Sequence, residues 1–110
     1  MATRSFIGRL LHDGSVVGTC CLWDGYPAGV GRILTDHYTD PRVVAELLVS
    51  GCIEQLGCDV SSTVFRRDCE GLPNMKDYAT VRDMLRDVGA DLGAVYSYVF
   101  DDGGWNTYTV

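Results

Sequence analysis

Several features that would narrow the function at once are missing from this chain. No apolar run in its 110 residues exceeds a handful, whereas a membrane-spanning helix needs roughly 18 or more. The start, Met1-Ala2-Thr3-Arg4-Ser5, leads into no hydrophobic signal region or cleavage site, so a cytosolic protein is expected. Paired cysteine spacing is absent: Cys20, Cys21, Cys52, Cys58 and Cys69 are odd in number and form no C-x-x-C, which favours reduced thiols over a secreted disulfide framework. There is no basic surplus either. Nine Lys and Arg against fifteen Asp and Glu give a net charge of −6, so phosphates and anionic lipid are repelled, and neither direct nucleic-acid binding nor membrane binding is expected. Histidine is scarce, at two. Single, scattered Cys and His do not supply the four clustered ligands of a zinc site, so no metal is expected. Neither G-x-x-x-x-G-K-[ST] nor G-x-G-x-x-G occurs around Gly25, Gly29 and Gly31, and no cofactor is expected.

What remains is the composition of one globular domain over residues 1–110: 12.0 kDa, 46% hydrophobic and 22% charged, without repeats or low-complexity segments. Ser5–Leu11 and Val16–Trp23 flank His12-Asp13-Gly14-Ser15 and predict an N-terminal hairpin, because Asp-Gly supplies the positive φ of a tight turn. Asp24-Gly25-Tyr26-Pro27 ends the second strand. Helical spacing of Val30, Ile33 and Leu34 predicts a helix over 27–38, with Pro27 in its first turn. Asp40-Pro41 starts a second helix through Leu48, ending at Ser50-Gly51. Ile53–Gly57 reads as a short turn, and 58–77 as loop with a possible edge strand from Val60 to Phe65. A third helix is expected over 77–89, capped by Asp77 and stopped by Gly89. Ala94–Phe100 and Trp105–Val110 around Asp101-Asp102-Gly103-Gly104 predict a C-terminal hairpin. The expected class is α+β: a four-stranded, mostly antiparallel sheet from the two terminal hairpins, with two or three helices on one face.

Candidate chemistry is thin. Cys20 or Cys21 with His37 could form a nucleophile and base, but on a strand the two cysteines face opposite ways, one into the core and one half-exposed as filler. No catalytic residue is assigned, and the chain reads as a binding protein. The aromatics Trp23, Tyr26, Tyr96, Tyr98, Trp105 and Tyr108 are mostly core under the helices, since an acidic chain lacks the basic groove that a base-stacking platform needs. Charge is more informative. Residues 1–67 hold seven acids against six Arg, whereas residues 68–110 hold eight acids (Asp68, Glu70, Asp77, Asp83, Asp87, Asp91, Asp101 and Asp102) against Lys76, Arg82 and Arg86. Asp83, Asp87 and Asp91 recur at four-residue spacing, and like charges so placed repel by a few tenths of a kcal/mol per pair. An ordinary solvated face is one explanation. The other is an acidic surface whose carboxylates stand where a nucleic-acid-binding protein expects phosphates.

The segments Met1–Ile7, Asp13-Gly14-Ser15, Cys21-Leu22-Trp23-Asp24-Gly25-Tyr26-Pro27, Gly31-Arg32-Ile33-Leu34 and His37-Tyr38 resemble a group of small phage and mobile-element proteins with an M-[AG]-T-R-S start and a C-H-W-D-G-Y-P core. The likeness covers residues 1–57 and resumes at Tyr96–Phe100 and Gly104-Trp105. Leu22 stands where the group commonly has His, which removes any acid-base or metal role there. The chain as a whole resembles anti-CRISPR proteins of Pseudomonas mobile elements that act on type I-C systems. That resemblance implies an inhibitor in the cytoplasm of a bacterial host, and a monomer is expected. Its partner would be the basic DNA-binding surface of a Cas protein complex, kept from target DNA by the acids of the second half. The alternative is a small phage-encoded enzyme or ligand-binding protein with a pocket at the Trp23–Pro27 turn, where Asp24 and Tyr26 would supply the polar contacts.

Overall fold

A computed structural model describes residues 3–66, 75–101 and 104–110. Among them are seven strands and three helices: β1 (Ser5–Leu10), β2 (Val16–Cys21), α1 (Arg32–His37), α2 (Pro41–Val49), β3 (Cys52–Gln55), β4 (Val64–Arg66), β5 (Lys76–Tyr78), α3 (Val81–Leu92), β6 (Tyr96–Asp101) and β7 (Gly104–Thr109). A π-helical turn, Pro27–Gly31, leads into α1. The strands form one mixed sheet ordered β4-β3-β2-β1-β6-β7, with β5 paired to β2 beyond that path. Both terminal hairpins are present and antiparallel, and they join through a parallel β1/β6 pair at the centre, Ser5 beside Tyr96 and Arg9 beside Phe100.

The α+β class stands, but the four-stranded, mostly antiparallel sheet with helices on one face does not: the sheet has seven strands, is mixed, and is covered on both faces. Phe6, Cys20 and Val99 face Met84, Val88 and Leu92 of α3. Their neighbours Ile7, Cys21 and Tyr98 face Leu34 of α1 and Val44, Leu47 and Leu48 of α2. This explains why β1, β2 and β6 carry near-continuous apolar runs, as strands buried on both sides do. It also corrects the cysteine reading. Cys20 and Cys21 do face opposite ways, yet both are buried, because neither face is open.

Three further expectations change. Ile53–Gly57 is not a turn; Cys52–Gln55 is β3, reached through Gly51 at φ 125° and paired to β2 at Cys21/Ile53. Asp77 does not cap α3. It lies within β5, and the Thr80 hydroxyl accepts from the Asp83 amide instead. Gly89 does not stop α3, which runs on to Leu92 and ends at Gly93 in the left-handed conformation, φ 69°. A Cβ at position 89 would lie 2.8 Å from Cγ1 of the exposed Val110, a side-chain contact that a small shift relieves.

Candidate functional site

The eight acids singled out from the sequence do not converge on one spot. Asp68, Glu70 and Asp102 lie outside the described residues. Asp83, Asp87 and Asp91 form a row along α3, beside the buried row Met84, Val88 and Leu92. Successive members are separated by a rise of about 6 Å. Because the helix continues past Gly89, Asp91 belongs to this row. Asp77 is exposed but is not part of it. Lys76 and Tyr78 turn toward α3, with Tyr78 in the α3-side core, so strand alternation sends Asp77 to the other side of β5. Asp101 ends β6 and shares a cleft of about 520 Å³ with Arg9, Leu10, Leu11 and His12, set among the strand ends.

Cations interleave with the row. Arg86 Nη2 stands 3.0 Å from Asp83 Oδ1 and its Nε 3.4 Å from Asp87 Oδ1. Lys76 Nζ donates to Asp91 Oδ2 at 3.0 Å while lying 5.4 Å from the Tyr78 ring centroid. The Asp91 hydrogen bond holds the Lys76 ammonium above its ordinary pKa. All of these are exposed pairs, each worth at most about 1 kcal/mol, so a partner's Arg or Lys can exchange into them at little cost. The spacing of the acids was visible in the sequence; the Lys76 contact was not, because it depends on β5, a strand of three residues.

The Trp23–Pro27 turn is tightly built. Asp24 takes a positive φ of 56°, the only non-glycine among the described residues to do so. The Gly25 amide donates to the Thr3 carbonyl, and the Val30 amide donates to the Asp24 carbonyl, both at 2.9 Å. Gly25 and Gly29 are required by close approach: a Cβ would fall 2.6 Å from the Thr3 carbonyl oxygen in the first case and 2.5 Å from that of Asp24 in the second. Beneath the turn, the Tyr98 hydroxyl donates to the Gly25 carbonyl at 2.6 Å, and burial raises the pKa of Tyr98. The Cys21 thiol, also buried, is pushed up to about 12, which makes it a poor nucleophile.

Two aromatics of this turn are not core. Trp23 is 47% and Tyr26 42% exposed, against the expectation that they pack over the helices. The Tyr26 hydroxyl donates to Asp24 Oδ1 at 3.3 Å. Trp23 also lines a cleft of about 370 Å³ with Glu54 and Gln55. Those two residues were missed because β3 is too short to show a strand period. Glu54 is engaged with Arg66 Nε at 2.9 Å. His12 and His37, the two histidines, are both exposed. Among the described residues no group of three or more His, Cys, Asp or Glu could hold a metal ion, and no helix is long and apolar enough to cross a membrane. Compared with family profiles, with curated protein sequences and with solved structures, the chain matches none.

Proposed function

We propose that this protein is an inhibitory binding module that presents the acidic row of α3 to a basic groove built for nucleic acid. Given the resemblance of the chain as a whole to type I-C anti-CRISPR proteins, the groove is assigned to the surveillance complex of a bacterial type I-C CRISPR system, from which the inhibitor excludes target DNA. One observation carries the reading. Asp83, Asp87 and Asp91 stand in line on a single helix that is fixed to the sheet by its own buried face, so three carboxylates are held in regular succession without side chains having to converge from separate elements. Regular negative charge on a rigid rod is what phosphate-binding Lys and Arg residues are arranged to meet.

The test is a phage plaquing assay in a host with an active type I-C system, comparing the wild-type chain with Asp83→Lys/Asp87→Lys/Asp91→Lys. Wild type should restore plaques and the triple variant should not, while circular dichroism shows the fold retained. Binding to the purified surveillance complex should weaken steeply with salt. Retained inhibition by the triple variant removes the electrostatic mechanism, and no inhibition by wild type removes the assignment.

A second reading has its own support in the exposed Trp23 and Tyr26 and the cleft that Trp23 shares with Glu54 and Gln55. It makes the protein a small-ligand binder at that turn, for which a thermal-shift screen with nucleotides and small cations should give one large stabilisation lost in Trp23→Ala.

A further inference from the structure

Strand β7 is one end of the sheet, and among the described residues no strand pairs with its outer edge, which carries no charge, proline or bulge to blunt it. Residues 104–109 read Gly-Trp-Asn-Thr-Tyr-Thr, with no charge and no proline. Six consecutive pairs with β6, from Asp101/Gly104 to Tyr96/Thr109, run without a bulge. The opposite end of the sheet differs: β4 has only three residues, includes Arg66, and meets β3 through a register shift between Ile53 and Gln55.

The direction of the edge groups follows from a single hydrogen bond. The Val110 amide donates to the Val95 carbonyl at 2.9 Å, one bond in the phase that makes Tyr96/Thr109 a non-bonded pair and Ser97/Tyr108 a hydrogen-bonded one, while the Val95 amide itself donates to the Arg4 carbonyl. Hydrogen-bonded and non-bonded pairs alternate in an antiparallel ladder. Tyr108 and Asn106 therefore bond inward to β6. Trp105, Thr107 and Thr109 point their amides and carbonyls outward, away from the sheet.

We infer that this edge pairs with the same edge of a second copy of the chain, antiparallel, with Thr107 on the two-fold axis. The register is self-complementary: Thr107 faces Thr107 of the second copy, and Trp105 and Thr109 of each face Thr109 and Trp105 of the other. All outward amides and carbonyls of these three positions then find partners. On the α3 side, Asn106 of each copy stands opposite Tyr108 of the other. No like charges meet along the seam, and Thr opposite Thr is a favourable cross-strand pair. A chain carrying −6 brings two copies together most easily through its uncharged border. Beside the midpoint of this edge, Arg32 and Asp36 of α1 line a cleft with Thr107, so each copy brings one cation and one anion there. The proposed dimer differs from the monomer expected from the sequence, and it does not depend on the function proposed above.

Sedimentation velocity of the full chain, from low micromolar to near-millimolar concentration, should show a monomer–dimer equilibrium. Thr107→Pro removes an outward amide without breaking a bond to β6 and should weaken self-association roughly tenfold or more. Thr107→Lys, which opposes two cations on the axis, serves if the proline variant does not fold, and should act in the same direction. Hydrogen exchange at the amides of Trp105, Thr107 and Thr109 should slow as wild-type concentration rises. A wild-type chain monomeric throughout, variants that associate as tightly as wild type, or edge amides protected only when a different protein is added would each overturn the inference.

Discussion

The Tyr98 hydroxyl and the Gly25 carbonyl, 73 positions apart, are joined by a 2.6 Å hydrogen bond that ties the C-terminal hairpin to the Trp23–Pro27 turn. Both residues are buried. The turn and the C-terminal hairpin thus meet inside the molecule, and Tyr98 also rests against Gly31, where a Cβ would lie 3.0 Å from its ring. The glycine of the Trp23–Pro27 turn is accounted for by this junction before any ligand is invoked.

Removing the hydroxyl in Tyr98→Phe leaves a buried carbonyl without this donor and should cost about 1–3 kcal/mol. Gly25→Ala should cost at least as much, because the new methyl meets backbone at Thr3, which cannot swing aside. Urea denaturation of both variants checks this; a Tyr98→Phe protein as stable as wild type would show the bond to be incidental.

Gly8 and Gly18 sit opposite each other in the β1/β2 hairpin under the Phe6 ring. A Cβ on Gly18 would fall 2.2 Å from the Ile7 carbonyl oxygen and 2.6 Å from Gly8 Cα, so Gly18→Ala must force the central strands apart. Destabilisation above about 3 kcal/mol, or failure to accumulate folded protein, is the expected result. Gly104→Ala is the control. Its Cβ would meet nothing nearer than 3.9 Å, and its stability should be close to wild type.

The elements that the sequence announced are those with strong local signals: Asp13-Gly14 between two apolar runs, Asp40 capping α2 through the Arg42 amide, and the aromatic runs of β6 and β7. Strands β3 and β5, of four and three residues, are too short to show a period, and pairing with β2 rather than intrinsic preference makes them strands. Coverage on both faces was legible in Phe6-Ile7 and Cys20-Cys21, adjacent apolar residues that a one-sided sheet would not tolerate, but it required reading the runs as parallel-sheet strands. The α3 acids were legible from spacing alone. The helix was expected to stop at Gly89, but the left-handed terminating residue is Gly93, four positions on.

Thr80, not Asp77, holds the start of α3. The Asp83 amide donates to the Thr80 hydroxyl at 3.1 Å, so Thr80→Ala should lower stability by about 1 kcal/mol. Asp77→Ala should leave the helix unchanged. Equal losses from the two substitutions would return the capping role to Asp77.

Stability should fall at both ends of the pH scale, for opposite reasons. Burial raises the pKa values of Tyr38, Tyr78 and Tyr98 in the folded chain. The unfolded tyrosines therefore lose their protons first, and the contribution of these groups, complete below about pH 10, disappears as pH climbs beyond it. Asp13 and Asp59 are shifted downward by hydrogen bonds from Ser15 and Ser62. Their contribution is present above about pH 4 and is lost as pH falls through the folded values. The urea midpoint should accordingly be flat through neutrality and drop at alkaline pH together with tyrosinate absorbance, since the buried phenols ionise as the chain opens. Tyr98→Phe begins from a lower plateau but lacks one of the three raised phenols, the buried Cys21 thiol contributing equally to both proteins, so its alkaline decline should be shallower than that of wild type. Identical alkaline slopes would place the sensitivity elsewhere than in the phenol that meets Gly25.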